Sequence, residues 1–374
     1  STPLYSSAAS DVYKRQEPQE VRDAMLLATK RVLDSGWYVL GKEVESFEAE
    51  WAAHCGVEHG VGVGNGMDAI EIALRALDIG VGDEVITTPM TAFATVLAIL
   101  RAGATPVLAD IDLDTALLSR ESVKRCITPK TKAVILVHLY GQVRDMSAWS
   151  MLCNEKNIVL IEDCAQAHLA TLGGRPAGSV GRVSAYSFYP TKNLGGPGDG
   201  GMLVTSDDVI AKKAVRLRNY GQSVRYQHPE LGMNSRLDEI QAAMLSARLK
   251  WLPEFTQRRR EIADAYRIGI SNPLVKMLSE PQEPGSHVYH LFVVTCESRE
   301  RLQAHLQSKG VQALIHYPIT IQHQDPCLSL ERDPLGLANS ERHADICLSL
   351  PCHPQMTEDD VRAVVDAVNA FDGS

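Results

Sequence analysis

The 374-residue sequence has no Cys-x-x-Cys pair: its eight cysteines stand apart at positions 55, 126, 153, 164, 296, 327, 347 and 352. That scatter argues against a disulfide framework and against a zinc site, and it predicts reduced thiols in a cytoplasmic protein. Nor does any apolar run approach the ~20 residues that span a bilayer, and the first residues offer neither a basic start nor an apolar signal core. No membrane segment or export signal is expected. Basic charge is scarce as well: 37 Lys and Arg stand against 46 Asp and Glu, a net charge of -9, and no cluster of Lys and Arg compensates locally. This removes the electrostatic footprint of a nucleic-acid binder and favours small-molecule chemistry. His-x-x-Glu-His and similar metal-ligand spacings are missing too, so no metal is expected.

What is present is enough apolar material for a large core. With 45% hydrophobic and 22% charged residues, the chain is expected to be globular and of two domains. Residues 1–16, "STPLYSSAASDVYKRQ", carry neither a helix nor a strand period and are read as a non-native or disordered leader. From Glu20 to Leu33 a helical spacing begins at Val21, Met25, Ala28 and Val32. "GVGVGNG" (Gly60 to Gly66) then runs into a helical pattern from Met67 to Leu77, so strand, tight turn and helix are predicted. Four short runs rich in Val and Ile follow, "EVITTP", "TPVLAD", "KAVILVHL" and "NIVLIED", separated by helical or polar segments. Such alternation predicts an α/β fold with a mainly parallel sheet of about seven strands, completed by "VSAYSFY" and "GMLVTS". Ser235 and Asp238 have capping-box spacing before a helix that Pro253 ends or kinks. The large domain is placed at 17–252 and a smaller α+β domain at 253–374.

Three features carry chemistry. The Gly64-Asn65-Gly66 turn leaves backbone N–H groups at a helix N-terminus, where an anion is attracted, although the same sequence serves equally as a plain turn. Met67 stands where a dinucleotide fingerprint would place its third glycine. In "LIEDCAQAH", Asp163 ends an apolar strand, where α/β proteins place ligand groups; the alternative is a helix N-cap, with Gln166 completing a capping box. In "SFYPTKNLGGPGDGG", Lys192 follows Phe188, Tyr189 and Pro190 and precedes a glycine cluster. A lone lysine there reads as a snorkelling surface cation, whereas a desolvated one has a lowered pKa and attacks carbonyl carbon. The set is more specific than its members. An anion anchor, a strand-end carboxylate and a lysine 29 residues after it match what pyridoxal 5'-phosphate (PLP) requires.

The order of these motifs resembles the DegT/DnrJ/EryC1/StrS family of nucleotide-sugar aminotransferases, within the fold-type-I PLP-dependent enzymes. The likeness covers roughly Ser35 to the C-terminus and rests on "SGWYVLGKEVESFEAEWAAHCGVEHGVGVGNGMDAIEIAL", "PMTAFAT", "HLYGQ", "IEDCAQAH", "SFYPTKNLGGPGDGGMLVT", "RNYGQ", "GMNSRLDEIQAAML" and "IHYPITIQHQ". It implies that Lys192 is the Schiff-base lysine, that Asp163 partners the pyridinium nitrogen, and that Gln166 lies near the 3-oxygen. It also implies that Phe93 stacks on the ring, and that Ser187 and the N–H groups of Gly66 and Met67 bind the phosphate. Asn234 would reach the phosphate held by the other subunit, implying a homodimer with shared sites, and His316, Tyr317 and His323 would contact substrate.

The function implied is transfer of an amino group, from glutamate, to a nucleotide-linked keto sugar. "GNGMDAI", "HLYGQ" and "GMNSRLDEIQAA" look most similar to members that act on dTDP-3-oxo-6-deoxyhexoses, with a 4-oxo sugar or a cyclitol ketone as alternatives. A related dehydratase carries histidine in place of the lysine, so Lys192 counts against it. A non-catalytic PLP-binding regulator would need a further domain or a basic recognition helix, and this sequence has neither. Three departures stand out: Met67 in place of Thr or Ser, Leu169 at a usual glycine position, and Pro197 within the lysine loop. The first two are expected to cost little and the third to stiffen the loop.

Overall fold

The computed structural model describes residues 17–373, so the proposed leader 1–16 lies outside the described residues. The first helix among the described residues, α1 (Gln19–Ser35), follows Pro18 and ends on Gly36 in the left-handed region, whose N–H reaches Val32 and Leu33. It buries Val21, Ala28 and Val32, the stripe expected from spacing, mainly against the helix Glu239–Leu249.

After α2 (Lys42–Cys55) come β1 (His59–Val63), α3 (Gly66–Ala76), β2 (Glu84–Thr87), α4 (Phe93–Arg101), β3 (Thr105–Leu108), β4 (Thr131–Val137), β5 (Val159–Asp163), β6 (Val183–Ser187) and β7 (Gly201–Thr205). These seven strands stand in the order β1-β7-β6-β5-β4-β2-β3, and the short segment Glu331–Arg332 adds an eighth beside β3. All pairings are parallel except the two made by β7, which runs against both β1 and β6. Helices cover both faces, so residues 133–137 of β4 are apolar throughout rather than alternating. Phe47, Trp51, Tyr186 and Phe188 fill one side of the sheet; Ile70, Leu74, Ile99 and Leu203 fill the other.

Beyond the helix Glu239–Leu249 the chain breaks at Lys250 and Trp251, and Pro253 lies in the first turn of the next helix, Leu252–Gly269. A three-stranded antiparallel sheet, Lys276–Met277, Phe292–Thr295 and Cys347–Leu350, packs there with the helices Arg299–Ser308 and Glu358–Asn369 around Tyr266, Phe292, Leu302 and Val364. The predicted capping box at Ser235 and Asp238 does not form. Asp238 precedes the helix without a side-chain cap, and Ser235 Oγ instead accepts from Gly64 N at 2.9 Å.

The carboxylate that does cap in this region is Glu239. Its oxygens accept from Gly41 N (2.7 Å), Glu43 N (3.0 Å) and Val44 N (3.1 Å), the open start of α2. An anion there meets both unsatisfied donors and the positive end of the helix dipole. Glu239→Ala should lower stability by about 2–3 kcal/mol, read as a shifted urea midpoint with the slope unchanged. A shift no larger than that of an exposed-glutamate control would contradict this role.

Candidate active site

Three loops leave the carboxyl ends of parallel strands and converge: the turn after β1, Asp163 at the end of β5, and the segment after β6 that carries Lys192. β7, which separates β1 from β6, pairs Gly201 with Val63 on one side and with Ser187 on the other. A Cβ on Gly201 would lie 2.3 Å from the Asn65 carbonyl carbon, and one on Gly66 would lie 2.7 Å from Ser187 Cβ. Only glycine at both positions lets the start of α3 rest directly against Ser187. Asn65 Oδ1 caps the N–H of Asp68 at 2.9 Å. The N–H groups of Gly66 and Met67, in the first turn of α3, have no intrahelical acceptor, and the Gly66 backbone lies against Ser187, whose hydroxyl accepts from Tyr189 N at 3.3 Å. This is a cradle for an anion.

Asp163 sits in register with Val137 and Ala185 and is only 6% exposed. Its Oδ2 accepts from Thr95 Oγ1 at 2.9 Å and its Oδ1 from Ala165 N at 3.1 Å. The chain after it forms turns rather than a helix, so the helix-cap alternative fails and Gln166 completes no capping box. Instead Gln166 Oε1 accepts from Tyr140 N at 2.6 Å, and its Nε2 faces the Tyr317 hydroxyl at 3.3 Å.

Lys192 lies in a turn fixed by its own N–H to Tyr189 O at 2.8 Å. The side chain is half-buried, and its amine makes no hydrogen bond or ion pair among the described residues. Burial pulls its pKa down to about 8, with the Asp163 carboxylate opposing the fall. Around it stand His168, His290 and His316. Burial first, and the Lys192 charge second, lower these imidazoles to about 3, well below the ordinary value, and about 4. They are neutral near pH 7 and add no positive charge to the lysine's surroundings. Burial and the nearby Asp163 push Tyr317 up to about 12. Below pH 8 most of Lys192 is ammonium, so covalent capture of an aromatic aldehyde by the cofactor-free protein should speed up about tenfold per pH unit and level off above about 8. A rate still climbing at pH 10 would show an ordinary solvated lysine.

The remaining expected residues are placed less uniformly. Phe93 opens α4, half-buried against a small cluster that includes Val96, Leu108 and Ile321. Asn234 is exposed on a loop and bridges to Asn219. His316 and Tyr317 join the Lys192 and Asp163 group, whereas His323 is exposed and meets Thr320 (3.1 Å) and Glu341 (3.6 Å). Leu169 adopts φ 64, the left-handed conformation that suits glycine, so its expected low cost is corrected to about 1–2 kcal/mol. Pro197 is exposed between Gly196 and Gly198, where added Cβ atoms would fall 2.6 and 2.5 Å from the Gln241 amide. Its ring therefore lies on the solvent side of a loop pressed onto Gln241.

Buried ligand-type atoms of His138, Glu162 and Cys164 also lie within 4.8 Å of one another. Glu162 is already engaged: it meets His138 Nε2 at 2.7 Å and accepts from the N–H groups of Gly178, Val180 and Gly181 at 3.0, 2.9 and 2.6 Å. Against the opposing effect of burial, these bonds hold its carboxyl below the usual range. The cluster works as a clamp on the 178–181 loop.

The sequence pattern of the DegT/DnrJ/EryC1/StrS aminotransferase family matches residues 19–369. The chain belongs to this family. A curated relative from Aneurinibacillus thermoaerophilus, dTDP-3-amino-3,6-dideoxy-alpha-D-galactopyranose transaminase, is 43% identical over 94% of this chain and 95% of its own. Another from Streptomyces venezuelae, dTDP-3-amino-3,4,6-trideoxy-alpha-D-glucose transaminase, is 44% identical over 94% and 93%. Among solved structures, S. venezuelae DesV in complex with a ketimine intermediate superposes with TM-score 0.92 at 40% identity, covering 99% of this chain and 98% of the other. The Bacillus subtilis NtdA structure, described with bound cofactor PMP, superposes at 0.87 and 28% identity over 95% and 82%. The α/β architecture expected from strand alternation is therefore the family's, and the chain is an enzyme of a sugar-transaminase family. Among the described residues no helix is long and apolar enough to cross a membrane.

Several members of this constellation escape sequence reading. Thr95 lies two residues past Phe93 in "TAFAT", yet only the fold carries its hydroxyl to Asp163. Asn193, next to Lys192, joins Val288 O (3.1 Å) and His290 Nδ1 (3.1 Å) and so ties the lysine turn to the segment entering the small sheet. Its adjacency to the lysine was the one available signal.

Proposed function

We propose that the protein transfers the amino group of L-glutamate to the 3-keto carbon of a dTDP-linked 3-oxo-6-deoxyhexose, using PLP. The observation that carries this reading is the half-buried, unpartnered Lys192 amine near Asp163, with an anion cradle at Gly66 and Ser187 on the same strand ends. The residues fit the cofactor: the cradle is shaped for a phosphate, Asp163 for a cationic ring nitrogen, and Gln166 for a phenolic oxygen. When bound, PLP supplies the electron sink that makes the amino-acid α-proton removable.

In this reading Lys192 Nζ, as free amine, would take the α-proton and return it one carbon along; burial, which draws its pKa down to about 8, leaves a share of that amine unprotonated near neutral pH, and the neutral histidines add no charge of their own. Asp163 would keep the ring nitrogen protonated, and its bond from Thr95 holds the carboxylate in place. Gly66 N, Met67 N and Ser187 Oγ would hold the phosphate, Phe93 would pack on the ring, and Gln166 would donate to the 3-oxygen. His316, Tyr317 and His323 are the substrate contacts. A homodimer, with Asn234 reaching the partner's phosphate site, is part of the proposal. It is supported by the exposed Trp37, Tyr38, Tyr220 and Leu231, apolar surface of the kind that oligomers cover. The names of the two curated relatives favour C3 amination.

The deciding experiment supplies glutamate and PLP with a panel of 3-oxo and 4-oxo nucleotide sugars and locates the new amine by NMR. Amination at C3 of a dTDP sugar is expected. Amination at C4 alone would correct the position, and failure with every ketone would overturn the function.

A further inference from the structure

We propose that Tyr140 is a positioning residue that aims the Gln166 amide into the site and holds the His316–Tyr317 peptide beside it through a closed ring of hydrogen bonds. It rests on the reading of the site given above. Tyr140 lies in the turn just beyond the end of β4, is 1% exposed, and takes φ 63, a left-handed conformation unusual for a non-glycine residue. Gly141 follows with φ 95, and a Cβ there would sit 2.8 Å from Gln166 O, so the turn is pressed against the Gln166 backbone.

A backbone N–H can only donate, so the Gln166 atom that meets Tyr140 N at 2.6 Å is the carbonyl oxygen. The NH2 end is thereby turned toward the Tyr317 hydroxyl at 3.3 Å. Gln166 can then only donate into the site, which selects a hydrogen-bond acceptor on any ligand there. Tyr317, accepting from Gln166, keeps its own proton to give. The return link is the Tyr140 hydroxyl, 2.6 Å from His316 O, the carbonyl that precedes Tyr317.

Proton bookkeeping brings in one more residue. The single Tyr140 hydroxyl proton goes to His316 O, so His343 Nε2, 2.9 Å from the same hydroxyl, must carry a proton and donate it. That tautomer leaves His343 Nδ1 unprotonated, and Nδ1 is the atom found buried without a partner. His343 comes from the helix Ala338–Ile346. Tyr140 thus joins the large sheet to two separate segments of the C-terminal region.

Tyr140→Phe keeps the N–H and removes the hydroxyl. In the holoenzyme, KM for the keto sugar should rise about tenfold, the worth of one hydrogen bond, with kcat changed less than about threefold and PLP content unchanged. His343→Gln, which can still donate, should stay close to wild type, whereas His343→Leu should follow Tyr140→Phe. Tyr317→Phe opens the same ring, so the double variant Tyr140→Phe/Tyr317→Phe should cost less than the product of the single effects. Multiplying effects, or a lowered melting temperature with unchanged KM, would overturn the assignment. A readout independent of turnover is amide exchange at 315–320, expected to rise at least about tenfold in Tyr140→Phe while β5 is unchanged. Unchanged exchange there would also overturn it. If instead the proposed reaction itself is wrong, the wild-type enzyme aminates no ketone while the exchange result still decides the ring.

Discussion

Lys192→Ala is expected to lose amino transfer by on the order of 10⁴-fold or more, because it removes both the covalent attachment and the proton carrier. Borohydride treatment of the wild-type holoenzyme should yield a Lys192 peptide heavier by the cofactor, and the variant should yield none. The fold should survive. The amine makes no hydrogen bond or ion pair among the described residues, so its loss strands no partner. Removing a half-buried ammonium should also relieve a desolvation cost. In the cofactor-free wild type the folded pKa of about 8 lies below the unfolded value of 10.5, so the unfolded chain binds more protons between them. Stability from this group therefore rises with pH across that window and is lowest below pH 8. Lys192→Ala should flatten that rise. Full activity in the variant, or label on another lysine, would reject the assignment.

Asp163→Asn is expected to lower kcat by about 10²–10³-fold with little change in KM. The substitution keeps the shape that meets Thr95 Oγ1 (2.9 Å) and Ala165 N (3.1 Å) but removes the charge that holds a ring nitrogen protonated. Cofactor should still bind, because the cradle at Gly66, Met67 and Ser187 is separate from this carboxylate. Loss of cofactor with intact turnover after reconstitution would make Asp163 an anchor rather than an electronic partner. A loss below about tenfold would leave it a structural cap.

The legibility of this site varied with how local its determinants are. Asp163 and Lys192 could be read because each breaks the pattern of its own segment: a carboxylate closing an apolar strand, and a lysine between aromatics and glycines. Gly66 was legible as a turn before a helix, but its need to be glycine comes from Ser187, 121 positions on in the sequence and in van der Waals contact in space. The Ser235 reading failed for the same reason. Capping-box spacing is a local signal, and Gly64, far away in sequence, competed successfully for the hydroxyl. Leu169 looked harmless as a residue type and proved strained as a backbone conformation.

By itself, the sequence determined the α/β class, the parallel strands and the identity of the groups that can react, because apolar periodicity and glycine placement act over a few residues. Only the tertiary structure decided what surrounds those groups: Thr95 on Asp163, three neutral imidazoles about Lys192, and the Tyr140 ring at Gln166. These depend on strand order and on where the C-terminal segments dock. Burial then fixes which groups are charged, as with the Lys192 amine drawn to about 8 by desolvation that no stretch of sequence contains.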